Sequence, residues 1–263
     1  METGVLVYPV YSRRSGGLSI GINLFPDRKV CSFDCPYCEV FPFDAGSPFS
    51  LPDMETALIK TLIHAKEQNM TVRDICFSGN GEPTVSPDFT AALEAAFRIR
   101  YKEVPDAEVV LITNGTGLLD DDKFKLLGEA AKKDRGLQIW LKLDAGTLNW
   151  YKVMNRSSVP YDVLIEKIRE FVKCTPLILQ TMICAIDGKP PSAEEERAWE
   201  NLVTELALSA VELRGIQIYG KARPAPEDPL AAALPESFLE ARAASLRTAL
   251  AAARRDVKVR VYV

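Results

Sequence analysis

Three cysteines on one short segment carry the clearest chemistry in this chain. Cys31, Cys35 and Cys38 lie in the run Val-Cys-Ser-Phe-Asp-Cys-Pro-Tyr-Cys-Glu, which has the spacing Cys-x3-Cys-x2-Cys. Three thiolates on one loop can bind three irons of a [4Fe–4S] cluster and leave the fourth iron without a protein ligand. An iron with an open coordination site can bind a substrate or cofactor directly. The spacing therefore indicates reaction chemistry at a cluster rather than simple electron storage.

A structural zinc site is the alternative use of these cysteines. Such a site needs four ligands, usually supplied as two separated pairs. The chain has one histidine, His64, and no second Cys-x2-Cys pair. The iron–sulfur interpretation is therefore favoured.

The cysteine spacing, with the aromatic Tyr37 directly before the last cysteine, resembles that of the radical S-adenosylmethionine (SAM) superfamily. The resemblance implies a [4Fe–4S] cluster and SAM as cofactors, with the open iron binding the amino and carboxylate groups of SAM. It implies that an electron from the cluster cleaves SAM to methionine and a 5′-deoxyadenosyl radical. It also implies a position near the adenine for Tyr37.

Four further segments resemble one bacterial and archaeal branch of that superfamily, which is related to the 4-demethylwyosine synthases that act on a guanosine of tRNA. The segments are residues 11–23, 78–84, 153–156 and 219–224. Those tRNA enzymes carry additional cysteines ahead of the core for a second cluster, whereas no cysteine precedes Cys31 here. The remaining Cys76, Cys174 and Cys184 are scattered, without paired spacing. This departure argues against the wyosine reaction itself.

Composition places the chain among ordinary globular proteins, since 47% of its 263 residues are hydrophobic and 26% are charged. No apolar run approaches about 20 residues, and the N-terminus lacks the basic and apolar regions of a signal peptide, so we expect no membrane contact. Six cysteines in such a chain indicate reduced thiols and metal ligands, hence a cytoplasmic protein. A net charge of −4 weakens a tRNA substrate, because nucleic-acid binders usually present a basic face.

Short apolar runs alternate with longer periodic runs along the chain, which predicts repeated strand–helix units. Strands are predicted over residues 18–24, 74–78, 108–113, 137–143, 177–184, 211–219 and 257–263. Helices are predicted over residues 53–68, 89–101, 121–133, 161–173, 193–208 and 236–254. Such units predict an α/β fold with parallel strands and outer helices.

Periodicity alone fits both an open doubly wound sheet and a barrel, and the resemblance favours a partial (β/α)6 barrel of the TIM type. We predict a single radical SAM domain over residues 1–263. Its cluster loop is residues 30–39, its barrel core is about 18–220, and its C-terminal helix and strand lie at 235–263.

Polar side chains at the carboxyl ends of the strands are the expected ligand contacts, because such folds bind ligands there. The segment Gly79-Asn-Gly-Glu82 resembles the Gly-Gly-Glu motif that binds the SAM amino group, with Asn at its second position. Lys142 and Asp144 share one face of their strand, and either contact the SAM carboxylate and ribose or form a salt bridge. The full set of expected SAM contacts is Tyr37, Gly79, Asn80, Gly81, Glu82, Asn114, Lys142, Asp144, Gln180 and Met182.

Substrate contacts are predicted from residue type, because guanidinium groups bind carboxylates and phosphates through paired hydrogen bonds. The substrate candidates are Arg13, Arg14, Arg156, Gln217 and Arg223. Cys184 and Tyr219 are the candidates for a catalytic role, each on a strand face with other polar residues. Core packing and an internal hydrogen-bond network are the structural alternatives for these side chains.

The leading hypothesis is a radical SAM enzyme, of oxidoreductase or lyase type, that abstracts hydrogen from a small-molecule or peptide substrate. A flavodoxin or ferredoxin is the expected reductant. A tRNA-modifying enzyme ranks second, and an activase of a partner protein ranks third. A non-catalytic iron–sulfur carrier or sensor is the alternative of a different class, and it would neither bind nor cleave SAM.

Overall fold

The computed structural model describes residues 4–44, 46–132 and 136–263. The chain forms two compact units. The first comprises Met1–Cys31, Pro42–Thr113 and Glu129–Ile139, and the second comprises Ser32–Phe41, Asn114–Gly128 and Trp140–Val263.

The first unit is a small sheet covered by two helices. Its elements are strands β1 (Val7–Ser12), β2 (Gly17–Ile22), β3 (Val72–Phe77), β4 (Glu108–Thr113) and the first half of β5 (Leu137–Lys142), with helices α1 (Leu51–Glu67) and α2 (Phe89–Glu103). β1 pairs antiparallel with β2, while β2, β3 and β4 are parallel neighbours. The carboxyl ends of β2 and β3 therefore lie at the same edge of this sheet.

Local signals explain where helix α1 begins. Ser50 is its N-cap and accepts a hydrogen bond from the Asp53 backbone N–H, and Pro52 occupies the first turn, where its missing N–H is tolerated. The helix buries Met54, Leu58 and other residues at helical spacing against the sheet.

The second unit repeats the strand–helix alternation. Its elements are most of α3 (Asp121–Ala130), the second half of β5, α4 (Leu148–Met154), α5 (Tyr161–Val172), β6 (Leu177–Ile183), β7 (Ala185–Ile186), α6 (Ala193–Ser209), β8 (Leu213–Gly220), β9 (Ala231–Ala232), α7 (Glu236–Ala252) and β10 (Val259–Tyr262). The strand order is β5-β6-β8-β10, all parallel, and β7 pairs antiparallel with β9.

Every predicted strand and helix is present; the strand predicted over 108–113 has the predicted ends, and the others have shifted ends. Among the described residues, the prediction missed β1, α4, β7, β9 and two 3₁₀ helices, Pro83–Val85 and Thr116–Leu119. Strand β1 contains Pro9, which argues against a central strand but is tolerated here because β1 is an edge strand. Helix α4 is short, and its N-cap Thr147, which accepts from the Trp150 backbone N–H, is its clearest start signal. The predicted third helix was extended to residue 133, which lies outside the described residues.

Candidate active site

The predicted cluster ligands are reduced cysteines on an irregular loop. Cys31 is exposed, whereas Cys35 and Cys38 are half-buried. The Cys38 backbone N–H donates to the Cys35 carbonyl at 3.0 Å, which closes a turn between the second and third cysteines. Burial raises the pKa of the Cys35 thiol to about 12.

In the turn after β3 in the first unit, a residue with a side chain could replace Gly79 or Gly81 only if neighbouring atoms moved. Gly79 has φ +126°, in the region that favours glycine. A Cβ at Gly81 would lie 1.8 Å from the Val30 carbonyl oxygen, because the two residues form a parallel bridge. Hydrogen bonds from Val30 N to the Asn80 carbonyl and from Glu82 N to the Val30 carbonyl complete this contact. The Gly-Asn-Gly-Glu turn therefore holds the residue that directly precedes Cys31.

Asn80 and Glu82 point into the first unit and are buried. The Asn80 side chain donates to the Phe25 carbonyl at 3.1 Å, and within the described residues its Oδ1 is buried without a hydrogen-bond partner. Glu82 Oε1 accepts hydrogen bonds from Thr84 N, Thr84 Oγ1 and Thr113 Oγ1 at 3.2, 2.6 and 2.7 Å. Glu82 is thus the N-cap of the following turn as well as a predicted ligand contact.

Asn114, at the carboxyl end of β4, supports the cysteine loop of the second unit. Its Nδ2 donates to Ser32 Oγ at 3.0 Å, while its Oδ1 accepts from the backbone and hydroxyl of Thr116. Ser32 directly follows the first cysteine, so Asn114 helps fix the start of the loop.

Asp144, at the carboxyl end of β5, is the centre of the predicted SAM contacts in the second unit. Its side chain is fully buried. Oδ1 accepts from the Met182 backbone N–H at 2.9 Å, and Oδ2 accepts from the Tyr37 hydroxyl and from Asn155 Nδ2 at 3.1 Å. Lys142 Nζ lies 3.4 Å from the same oxygen. Both carboxylate oxygens of Asp144 are therefore engaged by donors from other elements of the second unit.

Lys142 lies between two tyrosines. Its Nζ donates to the Tyr219 hydroxyl at 2.7 Å and lies 4.7 Å from the centre of the Tyr37 ring. Burial alone lowers the pKa of Lys142, but the Asp144 charge and the Tyr219 contacts outweigh it and raise the pKa above its ordinary value. Burial, and then the Asp144 charge, raise the pKa of Tyr37 well above its usual range. The raised pKa values keep Lys142 protonated and the Tyr37 phenol neutral beside Asp144.

Strand β6 supplies Gln180 and Met182 next to this pair, and Cys184 directly follows the strand. Gln180 Nε2 donates to Gln217 Oε1 at 2.6 Å, while Gln180 Oε1 is buried and, in the described part of the chain, has no hydrogen-bond partner. Met182 and Cys184 belong to an apolar cluster that includes Tyr37 and Met154. Burial raises the pKa of Cys184 to about 12, so its thiol is neutral in this environment.

Two of the four predicted substrate arginines form ion pairs with carboxylates. Arg156 pairs with Glu227 at 2.6 Å, and Arg223 pairs with Glu39 at 3.1 Å, both in the second unit. Arg13 and Arg14 lie in the turn between β1 and β2, at the amino end of β2, whereas Gly79–Glu82 follow the carboxyl end of β3. The structure therefore does not bring Arg13 and Arg14 to the edge that carries the Gly-Asn-Gly-Glu turn.

Sequence reasoning missed Asn155 as a site residue. Asn155 closes helix α4, is buried, and donates to both Asp144 and Cys35. Its segment, residues 153–156, was noticed only as part of the family resemblance. Because helix α4 itself was missed, the sequence offered no element that would place this asparagine beside Asp144.

The fold and these residues define a protein of the radical SAM class. The model of the Radical SAM superfamily matches residues 28–192, so the chain belongs to this superfamily. The UPF0026 protein of Helicobacter pylori strain ATCC 700392 / 26695 is 27% identical over 218 residues, which cover 79% of this chain and 65% of that protein. The match thus spans slightly less than two thirds of that relative.

Solved structures of low sequence identity share the fold. A radical SAM methyltransferase from Sphaerobacter thermophilus has a TM-score of 0.67 at 14% identity, covering 97% of this chain and 68% of that chain. Streptococcus suis SuiB, bound to the precursor peptide SuiA, has a TM-score of 0.65 at 14% identity, covering 95% and 51%. TYW1 with a lysine-pyruvate adduct bound has a TM-score of 0.60 at 11% identity, covering 88% and 73%. These likenesses confirm the predicted α/β class with a partial (β/α)6 barrel.

The residues present fit the cofactors that the superfamily implies. In the described ranges, no three His, Cys, Asp or Glu side chains are already gathered closely enough to hold a metal ion. The donor set nevertheless suits iron–sulfur chemistry, because three reduced cysteines lie on one loop. No described residue donates a hydrogen bond to the buried side-chain oxygen of Asn80 or of Gln180, so each can accept a hydrogen bond from a bound molecule. Among the described helices, none combines the length and apolar character needed to cross a bilayer.

Proposed function

We propose that this chain is an enzyme that binds a [4Fe–4S] cluster through Cys31, Cys35 and Cys38 and reductively cleaves SAM. When bound, these cofactors supply a one-electron cleavage that gives methionine and a 5′-deoxyadenosyl radical, which takes a hydrogen atom from the substrate. The observation that carries the proposal is the buried Asp144–Lys142 pair, which one amide group, that of Asn155, links to the Cys35 sulfur.

The pair suits a zwitterionic ligand because it offers both signs of charge. Lys142 is placed to attract a carboxylate, and Asp144 is placed to accept hydrogen bonds from an ammonium group or ribose hydroxyls. The Asp144 side chain is fully buried and that of Lys142 is only 15% exposed, so each interaction acts in a medium less polar than water. Gln180 Oε1, which has no hydrogen-bond partner among the described residues, adds an acceptor to the contacts we assign to SAM in the second unit.

The surrounding side chains suit the exclusion of water from a reactive species. Met154, Met182 and Cys184 form a buried apolar surface with Tyr37, and the elevated pKa of Cys184 keeps its thiol protonated. A protonated thiol there is able to donate a hydrogen atom, so Cys184 remains a candidate for a catalytic role. Tyr219, whose hydroxyl accepts a hydrogen bond from Lys142, remains the other candidate.

We infer a small-molecule or peptide substrate, with a flavodoxin or ferredoxin as electron donor and a cytoplasmic location. Support comes from the net charge of −4 and from the six free cysteines. Two of the candidate arginines, Arg156 and Arg223, sit in exposed ion pairs. Because exposed pairs are weak, an anionic substrate can exchange with their carboxylates.

The test is formation of 5′-deoxyadenosine by protein reconstituted anaerobically with iron and sulfide, then supplied with SAM and a strong reductant. We expect product from the wild type and from Cys174→Ala, a matched control at an exposed cysteine outside the loop. We expect none from Cys35→Ala. Equal product from Cys35→Ala would overturn the cluster assignment. A wild type that holds a cluster yet neither binds nor cleaves SAM would indicate an electron carrier instead.

The substrate class has a separate test. If the substrate were tRNA, binding would weaken steeply and log-linearly with salt concentration, because phosphate contacts release counterions. We expect no tRNA binding at physiological salt in a filter assay. Specific, salt-sensitive binding would replace the small-molecule or peptide substrate with tRNA.

A further inference from the structure

Asn155 is the described side chain that joins the Asp144 carboxylate to a predicted cluster ligand. Its amide Nδ2 lies 3.1 Å from Asp144 Oδ2 and 3.7 Å from Cys35 Sγ. Its side chain is buried, with a relative exposure of 2% for the residue. One NH2 group has two hydrogens, so it can serve both acceptors at once.

The backbone around Asn155 is attached to the same loop. The Asn155 carbonyl accepts from Asp34 N at 2.9 Å, and Ser157 Oγ donates to the Ser32 carbonyl at 3.0 Å. These two hydrogen bonds attach the chain at Asn155 and Ser157 to loop residues that precede Cys35, and so they help to fix the distance between the Asn155 side chain and Cys35.

Chain reversal directly after Asn155 makes this placement possible. Asn155 N donates to the Tyr151 carbonyl at 2.9 Å as the last bond of helix α4. Arg156 then adopts φ +47°, a left-handed conformation that is uncommon for an arginine. A left-handed conformation costs energy for a residue other than glycine, so it must be held by the surrounding contacts. Residues held in this way are common at functional sites.

We propose that Asn155 is a positioning residue that donates an N–H···S hydrogen bond to the Cys35 thiolate and thereby raises the reduction potential of the bound cluster. The inference rests on the proposed function, because it needs the cluster on Cys35. Reduction adds negative charge to a cluster and its sulfur ligands, and a hydrogen bond to sulfur stabilises that charge. Asn155 therefore favours the reduced state that donates the electron.

The experiment compares Asn155→Leu with the wild type, using Asn201→Leu on the exposed surface of α6 as the matched control. Leucine is similar in size to asparagine and has no donor. Each protein is reconstituted anaerobically and titrated with redox mediators, and the reduced fraction is read from the electron paramagnetic resonance (EPR) signal. We expect reduction of Asn155→Leu to be about tenfold less favourable, a shift of about 59 mV for one electron, and no shift in Asn201→Leu.

A second measurement needs no folded variant. Wild-type protein is labelled with ¹⁵N in the asparagine side chains, reduced, and examined by pulsed EPR. We expect a weak magnetic coupling between the cluster and an asparagine amide nitrogen, because Asn155 Nδ2 lies 3.7 Å from the Cys35 sulfur. Absence of that coupling overturns the inference.

The outcomes separate this inference from the proposed function. An unchanged potential in an Asn155→Leu protein that retains its cluster overturns the inference alone. A wild type that holds a cluster but does not cleave SAM overturns the proposed activity and leaves the Asn155 test in force. A wild type that holds no cluster overturns both.

Discussion

Removing the charge of Asp144 is the sharpest test of the buried pair. In Asp144→Asn the side-chain shape is kept, but the ammonium group of Lys142 loses the counter-ion 3.4 Å away. Breaking a buried pair by removing one partner costs about 3–5 kcal/mol, because the remaining charge is left uncompensated. Lys142 keeps its bond to Tyr219 and its position over two aromatic rings. We therefore expect the lower end, a loss of about 3 kcal/mol.

The assay is urea unfolding of the cofactor-free protein, followed by tryptophan fluorescence. For a slope of about 3 kcal/mol per molar urea, the midpoint falls by about 1 M. Glu129→Gln, which breaks an exposed pair with Lys132, is the control and leaves the midpoint unchanged.

A double variant decides whether charge is the cause. Adding Lys142→Met to Asp144→Asn removes the uncompensated ammonium, and apolar replacements of buried pairs are often neutral or stabilising. We therefore expect the double variant to be more stable than Asp144→Asn. If Lys142→Met instead lowers the stability of Asp144→Asn further, lost packing rather than unpaired charge explains the effect and the reasoning is refuted.

Three further predictions follow from burial and close contact. Cys76 and Cys184, whose pKa values burial raises to about 12, should resist a thiol reagent at pH 8 until the protein unfolds, as read by mass spectrometry. Gly81→Ala should destabilise the protein by more than about 1 kcal/mol in urea unfolding, since its Cβ would lie 1.8 Å from the Val30 oxygen. Burial raises the pKa of Asp74 above its usual 3.8, so the protonated carboxyl group favours the folded state. The stability of the wild type relative to Asp74→Asn should therefore be highest below pH 3.8 and should fall as the pH rises through the raised pKa.

An exposed cysteine and a less crowded glycine provide the controls for the first two of these predictions. Cys174 is exposed and should be labelled in the folded protein, and early labelling of either buried thiol would contradict the burial. Gly128→Ala in α3 makes the same change where the new Cβ only touches Thr175 at 3.4 Å, so stability should hold or rise. For Asp74, a relative stability that rises with pH would mean that hydrogen bonds, not burial, dominate its titration.

Local patterns explain why much of the fold was predictable. Helix α6 was expected over residues 193–208 and runs from Ala193 to Ser209, because its N-cap Ser192, its acidic first turn and its periodic apolar face are all local signals. The cysteine loop was equally visible, since ligand spacing is a property of consecutive residues. Strand β1 was not visible in this way, because its pairing with β2 as an edge strand depends on a tertiary neighbour.

The site contacts depend on side chains far apart in sequence, and spacing does not encode them. The period-two rule placed Lys142 and Asp144 on one face, but it could not show that Tyr37 and Asn155 donate to that carboxylate. Residue type predicted Gln180 as a cofactor contact and Gln217 as a substrate contact, and in the structure these two side chains bond each other. Because Gln180 Oε1 has no hydrogen-bond partner among the described residues, this pair can still accept a hydrogen bond from a bound ligand.

The arginines show the same division between residue type and context. A guanidinium group near a predicted site suggests anion binding, yet Arg223 binds Glu39, which directly follows Cys38, and Arg156 lies 4.0 Å from Asp34, which directly precedes Cys35. Carboxylates thus flank the cysteines along the loop and offer the arginines partners within the protein. These pairs are partly exposed, so each contributes little stability and either can be exchanged. Their arrangement therefore favours a substrate whose anionic group replaces a carboxylate of the loop, rather than one that enters a ready-made, unpaired basic pocket.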